Sequence, residues 1–264
     1  MKKDVAIFTI VKNEPYFLPK WIKYYSQFFD KCDMSVLDDA TNDGSTDNLD
    51  IDVVKLPIRS KLDYGQNGFY IRERFAQLLE RYHYVFCTDV DEFITPTHSP
   101  NLRMYIDNEI STDRNCFIAT GWIIVHYPEK GDVAFDYTKP ILNQRQNVND
   151  SPPYNKPYGA NYVLSYNIGQ HTASNEQPYS QEQRSDPNVI LIHAKLFDMD
   201  FSINRYRHTF RTYDTILPTV PTIEKDFVLH GEDAEFIKYH YTQRFNGTVR
   251  NLDKLLYFDF KNMF

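Results

Sequence analysis

The sequence predicts an α/β fold: a three-layer sandwich with a mainly parallel central sheet, plus a small helical layer at the carboxyl terminus. Two observations predict this fold. Strand-like and helix-like segments alternate over roughly the first hundred residues, and short polar clusters follow the strands. The 264 residues are enough for one large domain with an appendage and a sizeable core.

The first three elements are a strand, a helix and a second strand. Residues 4–11, DVAIFTIV, form the continuous β-branched and apolar run of a strand buried on both faces. In residues 16–29, apolar side chains recur at three- and four-residue spacing, which predicts an amphipathic helix. Residues 34–39, MSVLDD, predict the second strand. This alternation favours parallel pairing.

The same alternation continues to about residue 95. Residues 51–58 predict a third strand and residues 69–82 a second helix. We expect residues 84–94, YVFCTDVDEFI, to form one further buried strand. Ligands of such sheets bind outside the carboxyl ends of the strands. The polar clusters there, KNE, DDATNDGSTD and TDVDE, should therefore converge on one crevice.

The pattern is less regular beyond Pro100. Residues 116–127 and 188–197 predict strands, whereas the polar stretch between them, residues 137–187, predicts a binding loop or lid. From residue 201 onward, charged and apolar residues alternate at helical spacing. We therefore expect a catalytic domain over residues 1–200 and a helical extension, residues 201–264, packed on it.

Composition excludes several classes of protein. The formal net charge of −7 argues against non-specific nucleic-acid binding. No apolar run approaches the roughly 20 residues of a spanning helix, and the first apolar run is too short for a signal peptide. Three widely spaced cysteines match no zinc pattern and favour a reducing compartment. We expect a cytoplasmic protein with no transmembrane segment; its aromatic tail, residues 255–264, is a candidate for peripheral membrane contact.

The cluster TDVDE contains the candidate metal-binding carboxylates. Along a strand, alternation would place Asp89 and Asp91 on one side and Glu92 on the other. Two carboxylates at this spacing suit Mg²⁺ or Mn²⁺ together with a substrate's phosphates. The loop over residues 39–50 has a competing calcium-loop pattern, but its positions 3 and 12 do not fit and a strand precedes it.

Taken in order, VAIFTIVKNE, VLDDATNDGSTD and YVFCTDVDEFI resemble the nucleotide-sugar-binding half of a family 2-like glycosyltransferase with the Rossmann-like GT-A fold and a D-x-D-E-F type motif. The resemblance covers residues 4–95 closely and the later strands loosely. It implies metal-dependent transfer of a sugar from a nucleotide diphosphate donor, with a UDP-sugar favoured, to a hydroxyl of a glycan or other acceptor. The implied stereochemistry is inversion.

The resemblance also implies roles for single residues. It assigns the nucleotide pocket to Thr9, Val11, Asn13 and Glu14, the base contact to Asp38 or Asp39, and a further nucleotide contact to Arg72 or Arg74, for which a solvated helix face is equally expected. It assigns the metal to Asp89, Asp91 and His193, with Asp89 also near the ribose. Asp91 thus takes part in catalysis, and His193 could instead be a core histidine. The resemblance also implies an acidic catalytic base many residues after the metal motif, for which Glu176 is the candidate, with His171, Glu182 or Asp186 as substitutes.

Two other functions compete with this one. A nucleotidyltransferase shares the α/β sheet and paired carboxylates, but typically begins with a glycine-rich basic loop, and TIVKNEP contains no glycine. A non-catalytic carbohydrate-binding protein on the same fold would be expected to lose its carboxylates, which are present here.

Overall fold

The computed structural model describes residues 2–58, 64–99, 101–166, 173, 185–211 and 249–252. Its strands are β1 (Lys3–Val11), β2 (Met34–Asp38), β3 (Asp52–Lys55), β4 (Tyr82–Cys87), β5 (Glu92–Pro96), β6 (Cys116–Val125), β7 (Asn147–Asp150), β8 (Pro157–Ala160), β9 (Asp186–Leu196) and β10 (Val249–Asn251). Its α-helices are α1 (Phe17–Tyr25), α2 (Tyr64–Leu79), α3 (Leu102–Ile110) and α4 (Met199–Arg211).

The predicted α/β fold is confirmed. The sheet runs in the order β10-β7-β6-β8-β4-β1-β2-β3, and β9 joins it beside β6 and pairs with β5. Strand β1 is parallel to both β2 and β4, and β2 is parallel to β3. Strand β8 pairs antiparallel with β4, so the sheet becomes mixed on that side. The carboxyl ends of β1, β2 and β4 therefore lie at the same edge.

Helices cover both faces of the parallel strands because successive side chains of β1 alternate between two cores. Ile7 belongs to the core that contains Trp21 of α1, whereas Phe8 belongs to the core that contains Phe75 of α2. The rings of Phe8 and Phe75 meet edge to face at 6.0 Å. This arrangement produces the three predicted layers.

The segment predicted as one strand over residues 84–94 is two strands joined by a turn. Strand β4 ends at Cys87, and β5 begins at Glu92, whose backbone N–H closes the turn by donating to the carbonyl of Asp89 at 3.1 Å. Helix α1 anchors this turn: the Trp21 indole N–H donates to Thr88 Oγ1 at 2.9 Å, and the Tyr25 hydroxyl to the Glu92 carbonyl at 3.0 Å. The strand alternation expected for Asp89 and Glu92 therefore does not apply.

The polar stretch predicted as irregular contains β7 and β8, which both pair with β6. The close approach of this stretch to β6 depends on Gly121, where a Cβ would lie 2.5 Å from Tyr154. The Gly121 N–H donates to Asn155 Oδ1 at 2.6 Å and its carbonyl accepts from the Ser151 N–H at 2.9 Å. Residues 151–156 are thus fastened to the sheet.

The predicted domain boundary at residues 200 and 201 falls inside α4, and β10 pairs with β7, so the carboxyl-terminal part also supplies a strand. The expected helices at residues 232–245 and 251–260 lie almost wholly outside the described residues. Among the helices that the structure describes, none is long and apolar enough to cross a membrane.

Candidate active site

The polar clusters converge at the carboxyl edge, as predicted. Asn13, in the left-handed region at φ 53°, follows β1 and accepts through Oδ1 from the Asn42 N–H at 2.9 Å. The N–H of Asn13 donates to Thr41 Oγ1 at 3.3 Å, and that of Glu14 to Ser45 Oγ at 3.2 Å. The turn after β1 and the loop after β2 therefore form one wall of the crevice.

Asp91 is the buried centre of this crevice, with 4% of its surface exposed. Its Oδ2 accepts from Arg205 Nη1 at 2.5 Å, and its Oδ1 lies 3.3 Å from His193 Nε2. The same guanidinium donates to Glu14 Oε1 from Nη2 at 2.6 Å and from Nε at 3.1 Å. The turns after β1 and β4 are thus joined by one arginine from α4.

Burial and charge compete in this cluster. Burial raises the pKa of Glu14 to about 7, although Arg205 works against it. Burial would raise the pKa of Asp91 as well, yet Arg205 and His193 together hold it well below its usual range. Burial lowers the pKa of His193, which Asp91 only partly offsets. At neutral pH, we therefore expect an ionised Asp91 beside a neutral imidazole.

Asp89 and Glu92 belong to a second ion-pair group around Lys156, which is 1% exposed. The Lys156 Nζ donates to Asp89 Oδ2 at 3.0 Å and lies 2.8 Å from Glu92 Oε1. Glu92 Oε2 also accepts from the Asp89 N–H at 3.0 Å. Burial and Asp89 raise the pKa of Glu92 to about 8 despite Lys156. Lys156 thus compensates two of the three carboxylates.

The predicted metal ligands are only partly brought together. In an octahedral site with bonds of about 2.1 Å, adjacent ligands lie about 3 Å apart, so Asp91 Oδ1 and His193 Nε2 at 3.3 Å fit two positions. His193 Nδ1 is buried without a hydrogen-bond partner among the described residues. Asp89 is bound instead by Lys156. Within the part of the chain that the structure describes, three or more His, Cys, Asp or Glu side chains nowhere form a metal-binding group.

Asp38, predicted to contact the base, is a structural anchor of the loop. Its Oδ1 accepts from the Thr41 N–H at 2.7 Å, and its Oδ2 from the Thr46 hydroxyl at 2.7 Å and from Lys55 Nζ at 2.5 Å. These contacts use both oxygens of a fully buried carboxylate. Asp39 is buried beside it, and its N–H donates to the Val11 carbonyl at 2.8 Å.

Arg74 lies at the opposite edge of the sheet from the crevice. It bonds to Asp52, the first residue of β3, and its Nε donates to Ser35 Oγ at 3.3 Å, near the start of β2. These are the amino-terminal ends of the strands, whereas the crevice lies at their carboxyl ends. The nucleotide contact of Arg72 or Arg74 stays a prediction. Arg72 is exposed on the same helix, α2.

The predicted catalytic bases are mostly not described. Glu176, His171 and Glu182 lie outside the described residues. The remaining substitute, Asp186, is buried and accepts from the Tyr105 hydroxyl at 2.6 Å and from Arg114 Nη1 at 2.9 Å. These two contacts indicate a structural role for Asp186, which anchors the start of β9.

The sequence did not predict Arg205 and Lys156 as the counter-ions of these carboxylates. The signal that could have found them is indirect: buried carboxylates in an apolar run need cations. That need does not indicate which of the 29 lysines and arginines supplies the charge. Lys156 comes from a proline-rich stretch and Arg205 from a helix, and neither position has a motif of its own.

No protein-family model and no curated protein sequence matches this chain. Two similar solved structures are of glucosyl-3-phosphoglycerate synthase from Mycobacterium tuberculosis. The complex with Mn²⁺, UDP-glucose and phosphoglyceric acid is 14% identical, with a TM-score of 0.31 over 46% of this chain and 44% of that chain. The complex with phosphoglyceric acid is 15% identical, with a TM-score of 0.35 over 60% and 56%.

A third solved structure, described as a mycobacterial protein, is 12% identical, with a TM-score of 0.37 over 83% of this chain and 77% of that chain. The matched part of the present chain spans only about half the length of the synthase. At these TM-scores, the similarities do not support a transfer of residue roles. The function has to follow from the site itself.

Proposed function

We propose that this protein is a glycosyltransferase that binds a nucleotide diphosphate sugar at the carboxyl edge of β1, β2 and β4. One observation carries the proposal: the turns after β1 and β4 bring Glu14 and Asp91 onto one guanidinium, beside a buried histidine. Such a concentration of buried charge at the carboxyl ends of parallel strands is typical of a ligand site. We favour a UDP-sugar as donor and a glycan or other hydroxyl as acceptor.

The chain's own residues have distinct roles in this proposal. Asn13 and Glu14, in the turn after β1, would line the nucleotide side of the crevice, with Thr9 and Val11 buried behind them at the end of β1. The loop after β2 supports that wall through its bonds to Asn13 and Glu14. Asp38 or Asp39 would contact the base, and the carboxylate of Asp38 would have to do so while it also accepts bonds from Thr41 and Lys55.

Asp91 and His193 would hold a divalent cation, with Asp89 as a further ligand toward the ribose. When bound, this cation would supply Lewis-acid charge to the departing diphosphate. The support for this pair is its spacing and burial: an ionised carboxylate faces an imidazole nitrogen at 3.3 Å in a site from which water is largely excluded. Lys156 would orient Asp89 from behind, because it bonds the oxygen Oδ2.

An acceptor hydroxyl must lose its proton on the side of the sugar opposite the diphosphate if the reaction inverts. Glu176 is the proposed base and His171 its substitute. Both follow β8 in the polar stretch, whose described part is fastened to β6 and reaches His193 through the ring of Tyr154, at 4.3 Å between centroids. The described part of this stretch, around Tyr154, therefore lies beside His193.

Donor hydrolysis tests the proposal. The protein would be incubated with UDP-, GDP- and dTDP-sugars, with Mn²⁺ or with EDTA, and release of the nucleoside diphosphate would be measured. We expect slow, metal-dependent release from at least one donor, which Asp91→Asn abolishes. Asp52→Asn is the matched control, since Asp52 is a half-exposed carboxylate paired with Arg74 at the other edge of the sheet.

Three outcomes would count against this function. Pyrophosphate release from a nucleoside triphosphate and a sugar phosphate would indicate a nucleotidyltransferase. Saturable sugar binding with no turnover of any donor would indicate a carbohydrate-binding protein. Equal donor hydrolysis by the wild type and by Asp91→Asn would show that the reaction does not use this crevice.

A further inference from the structure

The Arg205 side chain is bonded to two carboxylates and remains partly exposed to solvent. Three of its N–H groups reach Asp91 and Glu14, and its guanidinium carbon lies 4.7 Å from the centre of the Phe17 ring. About a quarter of the side chain remains exposed at 23%. The Arg205 side chain is therefore not sealed off from solvent.

A phosphate could replace the carboxylates that now accept hydrogen bonds from Arg205. A guanidinium presents a planar fork of donors that fits carboxylate and phosphate oxygens equally well. Here it donates to two carboxylates that come from two different turns. An arginine in this position can exchange a carboxylate for a phosphate without losing its hydrogen bonds.

A cation at Asp91 and His193 would compete directly with this arrangement. Both oxygens of Asp91 are engaged, one by Arg205 Nη1 and the other facing His193 Nε2. A divalent ion at that pair would share its carboxylate with a guanidinium 2.5 Å from the second oxygen. Two like charges this close repel strongly in a buried site. The cation alone is therefore disfavoured.

We propose that Arg205 is a ligand of the donor diphosphate, and that it makes cation binding depend on the diphosphate. This inference rests on the proposed function and deepens it. When a diphosphate enters, the guanidinium turns from Glu14 and Asp91 to the phosphate oxygens. Asp91 is then released to the cation, and the diphosphate supplies the negative charge that allows both positive groups to remain.

The proposal predicts effects of opposite sign from one substitution. Arg205→Met removes the charge but keeps an unbranched apolar side chain over Phe17. The affinity for UDP or GDP, measured in EDTA, should fall about tenfold or more, as expected for the loss of a charge-assisted hydrogen-bond pair. The affinity for Mn²⁺ in the absence of nucleotide should rise. A purely structural arginine would weaken both.

Isothermal titration calorimetry on the whole 264-residue chain measures these affinities. Each variant would be titrated with UDP and with GDP in EDTA, with Mn²⁺ alone, and with Mn²⁺ in the presence of saturating UDP or GDP. Arg205→Lys keeps the charge but not the fork, so its affinity for Mn²⁺ should stay close to that of the wild type. Arg74→Met is the matched control at the other edge of the sheet and should change neither affinity.

Different results would refute the inference about Arg205 and the proposed function. If the wild type binds Mn²⁺ with UDP or GDP, but Arg205→Met binds Mn²⁺ alone no more tightly, Arg205 does not gate the cation and the inference is refuted. If the wild type binds neither nucleotide under any condition, both claims fall. Should Arg205→Met fold poorly by circular dichroism, Glu14→Gln/Arg205→Met removes one carboxylate as well and gives the same two readouts.

Discussion

Replacement of Lys156 by methionine tests how much this buried cation contributes to stability as the counter-ion of Asp89 and Glu92. The Lys156 amine is fully buried between Asp89 Oδ2 at 3.0 Å and Glu92 Oε1 at 2.8 Å, and Glu92 itself has no exposed surface. The substitution keeps most of the side-chain volume and removes the charge. It therefore leaves a buried carboxylate without its counter-ion.

Breaking a buried ion pair from one side typically costs about 3–5 kcal/mol in the free energy of unfolding. Glu92 can escape part of this cost by taking up a proton, because its pKa is already about 8 with Lys156 in place. We therefore expect a loss of about 3 kcal/mol at pH 8.5, and a loss at pH 6 that is smaller by less than about 1 kcal/mol, because the ionised form of Glu92 is only slightly favoured at pH 8.5. In a protein of this size, 3 kcal/mol corresponds to a fall in Tm of about 6–12 °C.

Urea and thermal denaturation at the two pH values measure this loss. Glu92→Gln/Lys156→Met should lose the pH dependence of the Lys156→Met defect, since glutamine cannot ionise, and should be more stable than Lys156→Met at pH 8.5 by less than about 1 kcal/mol. Lys31→Met is the control: Lys31 pairs with Asp50 at the surface, where both side chains are more than half exposed, and should cost less than about 1 kcal/mol. A Tm for Lys156→Met within about 2 °C of the wild type at pH 8.5 would refute the reasoning.

Three further predictions concern other parts of the crevice and sheet. Glu14 has a pKa of about 7 against 4.5 when exposed, so the unfolded state binds fewer protons between these values and stability should fall by up to about 3 kcal/mol as pH rises across them. Glu14→Gln should flatten this slope in urea denaturation, and an unchanged slope would contradict the assignment. Gly159→Ala should destabilise the β4–β8 pair by about 1–3 kcal/mol, because its Cβ would lie 2.2 Å from a ring carbon of Phe86; unaltered thermal stability would argue against this packing. Asp91→Ala should abolish metal-dependent nucleotide binding in calorimetry, and an unchanged affinity for UDP with Mn²⁺ would remove Asp91 from the site.

Much of the fold could be predicted because its signals are local. The β-branched run of β1, the amphipathic spacing of α1 and the apolar strand β4 are each visible within about ten residues. The convergence of the polar clusters also followed, since parallel strands direct their carboxyl ends to one edge. The turn between β4 and β5 did not follow, because a run such as TDVDE does not indicate where hydrogen bonding to one strand ends and to another begins.

The sequence by itself determined the α/β order of elements and the edge of the sheet at which the carboxylates gather. Only the tertiary structure decided which cation each carboxylate meets. Asp91 is paired with Arg205, 114 positions away, and Asp89 with Lys156, 67 positions away. Such pairs depend on how distant segments pack against one another, and any of many lysines or arginines could satisfy the charge. For the same reason, the sequence does not show that Thr41, Thr46 and Lys55 engage both carboxylate oxygens of Asp38.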